Sequence, residues 1–263
     1  MQIATLGGLI KDHRLKKRLS QLEVSLRIGW SDATRLSKIE QGRVSKPTRK
    51  TLDKIMDALE LDVHQRGEML RVGTRIPEVV ESKKVMNVLI KEIQHVNYPI
   101  LIVDTFWTTY YVNDKFIKLF NLSKECINYI NSNHPNWLEL LFCTDYINSY
   151  AIKAGSSEKR ISEYKNYQIS QFRYEMSEYV TEAWFIGLIK NLKNNPEFKE
   201  KWENLMDKNN SDYFWYDYEF YEIINNGQIL KFHVCTMRPS LDPRFNYIVH
   251  FPVDKQTIDF FEK

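Results

Sequence analysis

Residues that start and stop helices recur so closely in the first 75 positions that only short helices fit between them, and this spacing constrains the fold more than any other feature. Leu6, Leu9, Ile10 and His13 fall at helical spacing, which predicts a first helix near 4–18. Ser20 stands three residues before Glu23, the pattern of a capping box, so a second helix begins at Gln21 and ends at Gly29. Ser31 or Asp32 can cap a third helix, which turns Leu36 and Ile39 inward and stops at Gly42. Pro47 sits where a fourth can begin, with Leu52, Ile55 and Leu59 as its buried stripe, and a fifth runs from Val63 to Val72.

Charge separates this region from the rest. Residues 1–75 hold 16 Lys/Arg against 9 Asp/Glu, a net of +7, while residues 76–263 hold 21 against 25, a net of −4. A basic unit joined to a mildly acidic one points to contact of the first unit alone with a polyanion. Two short helices joined by a glycine turn inside a basic five-helix unit is the layout of a helix-turn-helix.

The residues go further than the layout. Arg14, the Ser20-Gln21 start, Gly29, and the run Leu36-Ser37-Lys38-Ile39-Glu40-Gln41-Gly42-Arg43 followed by Pro47 resemble the Cro/repressor-like (Xre-type) DNA-binding family over about residues 5–72. The resemblance implies that the third helix lies in the major groove of duplex DNA, with Ala33, Thr34 and Lys38 reaching base edges. The turn from Gly29 to Ser37 is one residue longer than the family's commonest version, so Asp32 or Arg35 becomes the neighbour if the register slips. Gln21 would hold a phosphate at the N-terminus of the second helix, and Arg43, Lys46 and Arg49 would line the flanking backbone. Arg14 and Glu40 match a pair that in this family forms a partly buried, structural ion pair between the first and third helices.

A boundary belongs at residues 73–84, where Gly73 and Pro77 interrupt any periodicity, so the domains expected are 1–75 and 76–263. Residues 85–96 read as an amphipathic helix, Pro99 to Asp104 and Thr108 to Val112 as strands around a Trp107 corner, and Asn113 or Asp114 as the cap of a further helix. The middle, about 137–206, reads as helical. Phe172, Met176, Tyr179, Ala183 and Ile186 share one face, Val180, Trp184 and Leu188 the next, which predicts a long helix buried on more than one side. Pro196 starts another short helix. Tyr216 to Ile224, the turn Asn225-Asn226-Gly227 and Ile229 to Met237 form a hairpin; Phe245 to Phe251 is one more strand, and a helix finishes the region. Two strands, helices, then three strands make an α+β order that can close one antiparallel sheet. The fold expected is therefore an all-α five-helix helix-turn-helix domain followed by an α+β domain.

Tyr98-Pro99, Val103-Asp104, Trp107, Asn113, Leu119-Phe120, the run Asn136 to Phe142, and Pro196-Glu197-Phe198 with Trp202 look like the MmyB-like ligand-binding domain, a PAS-like fold, over roughly 85–252. That resemblance implies a small apolar, fatty-acid-like effector held between sheet and helices, with Ile102, Trp107, Tyr111, Phe116, Phe120, Phe142, Phe172, Trp184, Phe232 and Val234 as candidate walls. An aromatic at such spacing serves a core equally well.

Other classes find no support in the chain. The six histidines are scattered without metal-ligand spacing, and only 9 glycines leave little material for a phosphate-cradling loop, so neither a metal centre nor an enzyme is expected. Cys126, Cys143 and Cys235 are odd in number and far apart, which fits thiols of a reducing cytoplasm. No run approaches the roughly 20 apolar residues that span a bilayer, and LGGLI near the start makes no signal peptide. The whole reads as a cytoplasmic, dimeric transcription regulator that binds a near-palindromic DNA operator.

Overall fold

The computed structural model describes residues 5–44, 46–73, 79–142, 158–205 and 221–262. The chain divides into two compact units, Met1–Asn87 with Arg238–Phe245, and Val88–Met237 with Asn246–Lys263.

The first unit is built on α1 (Leu6–Lys16), α2 (Gln21–Ile28), α3 (Thr34–Glu40), α4 (Arg49–Ala58) and α5 (Val63–Val72). Ser20 caps α2 as the sequence places it, whereas at α3 the cap position is Ala33, without a side-chain hydrogen bond, and not Ser31 or Asp32. The Ser20 hydroxyl accepts from the Glu23 N–H while the Glu23 carboxylate accepts from the Ser20 N–H, and Asp62 and Gln65 repeat the arrangement at α5. Gly29 closes α2 at φ +87°, where any side chain would be strained. The fourth helix starts two residues after Pro47 because Thr48, not proline, caps it by accepting from the Thr51 N–H. Leu36, Leu52, Ile55 and Leu59 are wholly buried at the centre. The segment 238–245 packs on α5 of this unit. A Cβ on Gly67 would stand 2.6 Å from Cδ of Pro243, so only glycine lets the two backbones meet this closely, and a buried Asp242–Arg244 ion pair at 2.7 Å shapes the segment.

The 73–84 boundary expected from the sequence falls partly on 74–78, outside the described residues. Residues 79–84 are helical, opening α6 (Val79–Ile93), which was expected to start at 85. After Pro77 nothing in VVESKK breaks a helix, and Glu and Lys favour one.

The second unit carries a five-stranded sheet in the order β2-β1-β5-β4-β3, from β1 (Ile100–Asp104), β2 (Thr109–Val112), β3 (Tyr221–Asn225), β4 (Gln228–Met237) and β5 (Phe245–Pro252). The β1–β2, β3–β4 and β4–β5 pairings are antiparallel. Asn226 and Gly227 take φ +48° and +79°, the left-handed pair that a two-residue hairpin turn requires. Residues 216–220 of the expected hairpin lie outside the described residues. Between β2 and β3 come α7 (Asp114–Phe120), α8 (Lys124–Asn133), α9 (Trp137–Phe142), α10 (Glu158–Glu175), a single 3-10 turn (Ser177–Tyr179), α11 (Ala183–Leu192) and α12 (Pro196–Asn204); α13 (Lys255–Glu262) ends the region. An α+β unit with an antiparallel sheet thus follows the helical one.

Two expectations change. The long helix of the middle is broken, because the chain leaves α10 after Glu175 through the 3-10 turn and restarts at Ala183. The apolar stripe therefore divides: Phe172 and Met176 are buried, whereas Val180 and Ile186 are 52% and 54% exposed. The helix α8 was not read from the sequence, though Ser123 signals it by accepting from the Cys126 N–H.

Two buried groups of this unit titrate in opposite senses. The rings of Phe116, Phe120 and Phe232 enclose the His250 imidazole, its Nδ1 has no hydrogen-bond partner among the described residues, and burial pulls its pKa down to about 4 against the opposing effect of the Pro99 main chain. Burial pushes the Asp104 carboxyl up to about 6, although the main-chain N–H groups of Thr108 and Phe106 donate to it. The stability linked to His250 is present above its ordinary pKa of 6.5 and lost as pH falls towards 4. That linked to Asp104 is full below 3.8 and lost as pH rises through 6, so the two offset each other over this window. His250→Phe should therefore gain stability as pH falls from 7 to 4, and Asp104→Asn should lose it. Urea denaturation followed by tryptophan fluorescence measures this, since five of the six tryptophans lie in residues 88–237. Parallel pH profiles in the two variants would refute the assignment.

Candidate nucleic-acid interface

The third helix is seven residues long, and burial divides it cleanly: Leu36, Ile39 and Glu40 face inward, while Thr34, Arg35 and Lys38 are exposed. A helix this short is not stable by itself and takes its position from its neighbours. α1 supplies the closest approach. A Cβ on Gly7 would collide with the Ile39 carbonyl oxygen and stand 2.7 Å from that of Glu40, so α1 rests directly on the C-terminal turn of α3.

A buried charge network completes the joint. Arg14 donates through Nε to Glu40 Oε1 at 2.7 Å and through Nη2 to Oε2 at 2.9 Å, a bidentate pair whose side chains are 8% and 2% exposed. The third guanidinium donor, Nη1, reaches the Leu19 carbonyl at 2.8 Å, in the turn before α2. The hydrogen bond to Glu40 raises the Arg14 pKa above its already high ordinary value. Gln21 donates through Nε2 to Glu40 Oε2 at 2.7 Å, so its amide, expected on a phosphate, is committed to the joint. One carboxylate thereby ties α1, the α1–α2 turn, α2 and α3 together.

The longer turn before α3 has its own fixings. Asp32 Oδ1 accepts from the Thr34 N–H at 2.7 Å, and this bond to the main chain holds the Asp32 carboxyl below the usual carboxylate range. Ala33, at the cap position, is half-buried and has no side-chain hydrogen bond to give. The Arg35 guanidinium lies over the Trp30 ring at 4.8 Å and donates to Thr51 Oγ1 at 3.3 Å, which anchors it towards α4. Asp32 and Arg35 are thus occupied in shaping the turn, and Thr34 and Lys38 present side chains to solvent on one face. Arg43 and Lys46 are exposed beyond the helix, and Arg49 pairs with Asp53 at 2.9 Å on α4.

Of the residues expected to wall a ligand site, Phe116, Phe120 and Phe232 meet around the His250 imidazole, and the others are distributed elsewhere. Phe116, Phe142 and Phe172 lie in the main core of the second unit, with Trp107, Phe120 and Trp184 packed at its margin. Phe232 clusters with Leu119, Leu230 and Phe261, and Phe120 packs against both this cluster and the main core. Ile102 and Tyr111 oppose each other across β1 and β2, out of step with the Leu101–Val112 pair that enters the main core, and Val234 is 43% exposed. Sequence reasoning passed over His250, whose alternation with Val249 and Phe251 on a strand was its only signal.

Removing one member of a buried pair leaves the other charge uncompensated. Arg14→Ala should therefore cost the first unit about 3–5 kcal/mol. The double variant Arg14→Met/Glu40→Leu should recover most of that loss, because no buried charge remains. Thermal denaturation followed by circular dichroism measures both, and a double variant no more stable than the single one would contradict this account.

The chain is similar to the "ImmF control region 10 kDa protein" of Bacillus phage phi105, with 46% identity over 59 residues, 22% of this chain and 63% of that protein. The chain thus spans somewhat under two thirds of that relative's length. A model of the family described as "Helix-turn-helix domain" matches residues 5–69, the stretch that holds the helices joined by Arg14, Gln21 and Glu40. Residues 5–69 are a helix-turn-helix domain.

Proposed function

We propose that this protein is a DNA-binding transcription regulator, acting in the cytoplasm and without a catalytic step of its own. The observation that carries the proposal is the exposed Thr34–Lys38 face of α3, held by the buried Glu40 network inside a region of net charge +7. In this reading α3 enters the major groove of duplex DNA. Lys38 donates to guanine O6 or N7, and Ala33 and the Thr34 methyl meet thymine methyls. Arg43, Lys46 and Arg49 lie along the phosphates. The Gln21 amide, held by Glu40, reaches a phosphate only through its remaining N–H or the helix N-terminus behind it. One short reading helix touches few base pairs, so the protein acts as a homodimer on a near-palindromic operator with half-sites about 34–36 Å apart.

Two readings of the second unit have support. In the first it is an MmyB-like, PAS-like sensor for a small apolar, fatty-acid-like effector. The unpartnered Nδ1 of His250 among Phe116, Phe120 and Phe232 favours it, since one polar group within aromatic walls is what orients a head group. In the second it only pairs copies or binds a protein, which suits the complete burial of Phe116, Phe172 and Phe232 against the chain's own side chains.

DNA binding measured by fluorescence anisotropy on a selected operator tests the main proposal. Lys38→Ala should cost about 1–3 kcal/mol on that operator and relax its sequence preference. Arg43→Ala should weaken all sequences alike and reduce the slope of log affinity against log salt by about 1. If the two variants behave identically, the division between reading and anchoring is wrong. Native mass spectrometry before and after organic extraction separates the two readings of the second unit: a sensor shows extractable extra mass, a pairing unit shows none.

A further inference from the structure

We propose that the segment 238–245 is an arm that couples the helix-turn-helix unit to the sheet, so that DNA occupancy of α3 and the setting of β5 depend on one another. The inference rests on the DNA-binding reading above. The segment belongs to the first unit, although β4 before it and the chain from Asn246 after it belong to the second. β4 and β5 are antiparallel neighbours, and a turn of two residues is enough to join such strands. Here the connection takes seven residues, 238–244.

The arm is rigid. Pro239 and Pro243 fix two of its φ angles. Asp242 Oδ1 accepts from the Arg244 main-chain N–H at 3.0 Å, and Arg244 Nη2 donates to Oδ2 at 2.7 Å, with both side chains buried. The Phe245 N–H donates to the Asp242 carbonyl at 3.2 Å and closes the turn. Gly67 receives this turn on α5: a Cβ there would stand 2.6 Å from Cδ of Pro243 and 3.3 Å from Cα of Asp242. Glycine is a poor residue for a helix interior, so its place at 67 answers to this contact. α5 packs in turn on α1, which rests on the end of α3.

The other end of the arm is β5, the central strand of the sheet, with β1 on one side and β4 on the other. Two residues past the arm, the Tyr247 hydroxyl donates to Glu92 Oε2 on α6 at 2.7 Å. α6 is the other stretch by which the chain passes from one unit to the next, the boundary falling after Asn87. Three residues beyond Tyr247 stands His250 among Phe116, Phe120 and Phe232. A strand hydrogen-bonded on both sides moves with its sheet, so a change around His250 reaches Pro243, and through Gly67 reaches α5. By linkage the effect runs equally in the other direction.

Hydrogen–deuterium exchange of the full chain, free and on an operator duplex selected from a random pool, tests the arm. In the wild type the operator should slow exchange at least fivefold in α3 and also in β5. Gly67→Ala puts a good helix former into α5 but drives Pro243 away, so it should keep the slowing in α3 and lose that in β5. Pro243→Gly, which slackens the arm and leaves α5 unaltered, should do the same, and circular dichroism verifies that both variants fold. Slowing of β5 that persists in either variant would overturn the arm as the route. A wild type in which α3 is slowed and β5 is not would overturn the coupling while leaving the DNA-binding reading in place. Failure to slow α3 on any selected duplex would overturn that reading as well.

Discussion

The first unit depends on a single buried carboxylate. Glu40 sits on the last turn of a seven-residue helix and receives three short hydrogen bonds, two from Arg14 on α1 and one from Gln21 on α2. These ties add to the burial of Leu36 and Ile39 in setting where α3 lies. A buried ion pair seldom adds net stability over an apolar alternative, so what Glu40 contributes is placement. It fixes the angle at which Thr34 and Lys38 leave the domain.

The same constraint governs the recognition turn. Its extra residue would loosen α3 if the turn were free. Asp32 on the Thr34 N–H and Arg35 between Trp30 and Thr51 hold it from both sides. Two charged side chains that suggest base contacts when read singly are used internally, which leaves Lys38 as the outward-reaching cation of the helix.

The second unit uses buried asparagines for similar work. Asn113 accepts from Ile100 N–H and Phe116 N–H and donates to the Tyr98 carbonyl, tying the start of β1 to the start of α7. Asn136 donates to the Phe106 carbonyl and accepts from the Leu138 N–H, joining the β1–β2 corner to α9. Trp107 at that corner adopts φ +66° and donates from its ring N–H to Glu175 at 2.7 Å, so the strained residue is held by α10. Packed aromatic side chains fill the space between these joints, and their abundance in the sequence reflects a core as readily as a pocket.

Helix ends were legible in the sequence because they are local. Ser20 with Glu23, Gly29, Asn113 and the Asn226-Gly227 turn each act within four residues, and the structure has them where the local pattern puts them. The order of strands and helices was legible for the same reason. Three-dimensional contacts decided the rest. A helical stripe from Phe172 to Ile186 looks continuous along the sequence, yet the break at Ser177–Tyr179 turns its second half outward. Gln21 is read from the sequence as a phosphate ligand, and nothing local announces that a carboxylate nineteen residues away accepts from its amide. Short-range hydrogen bonding and periodicity thus determined which elements this chain forms; only tertiary packing decided which of their side chains are left free to act, because burial and long-range partners are not written in local spacing.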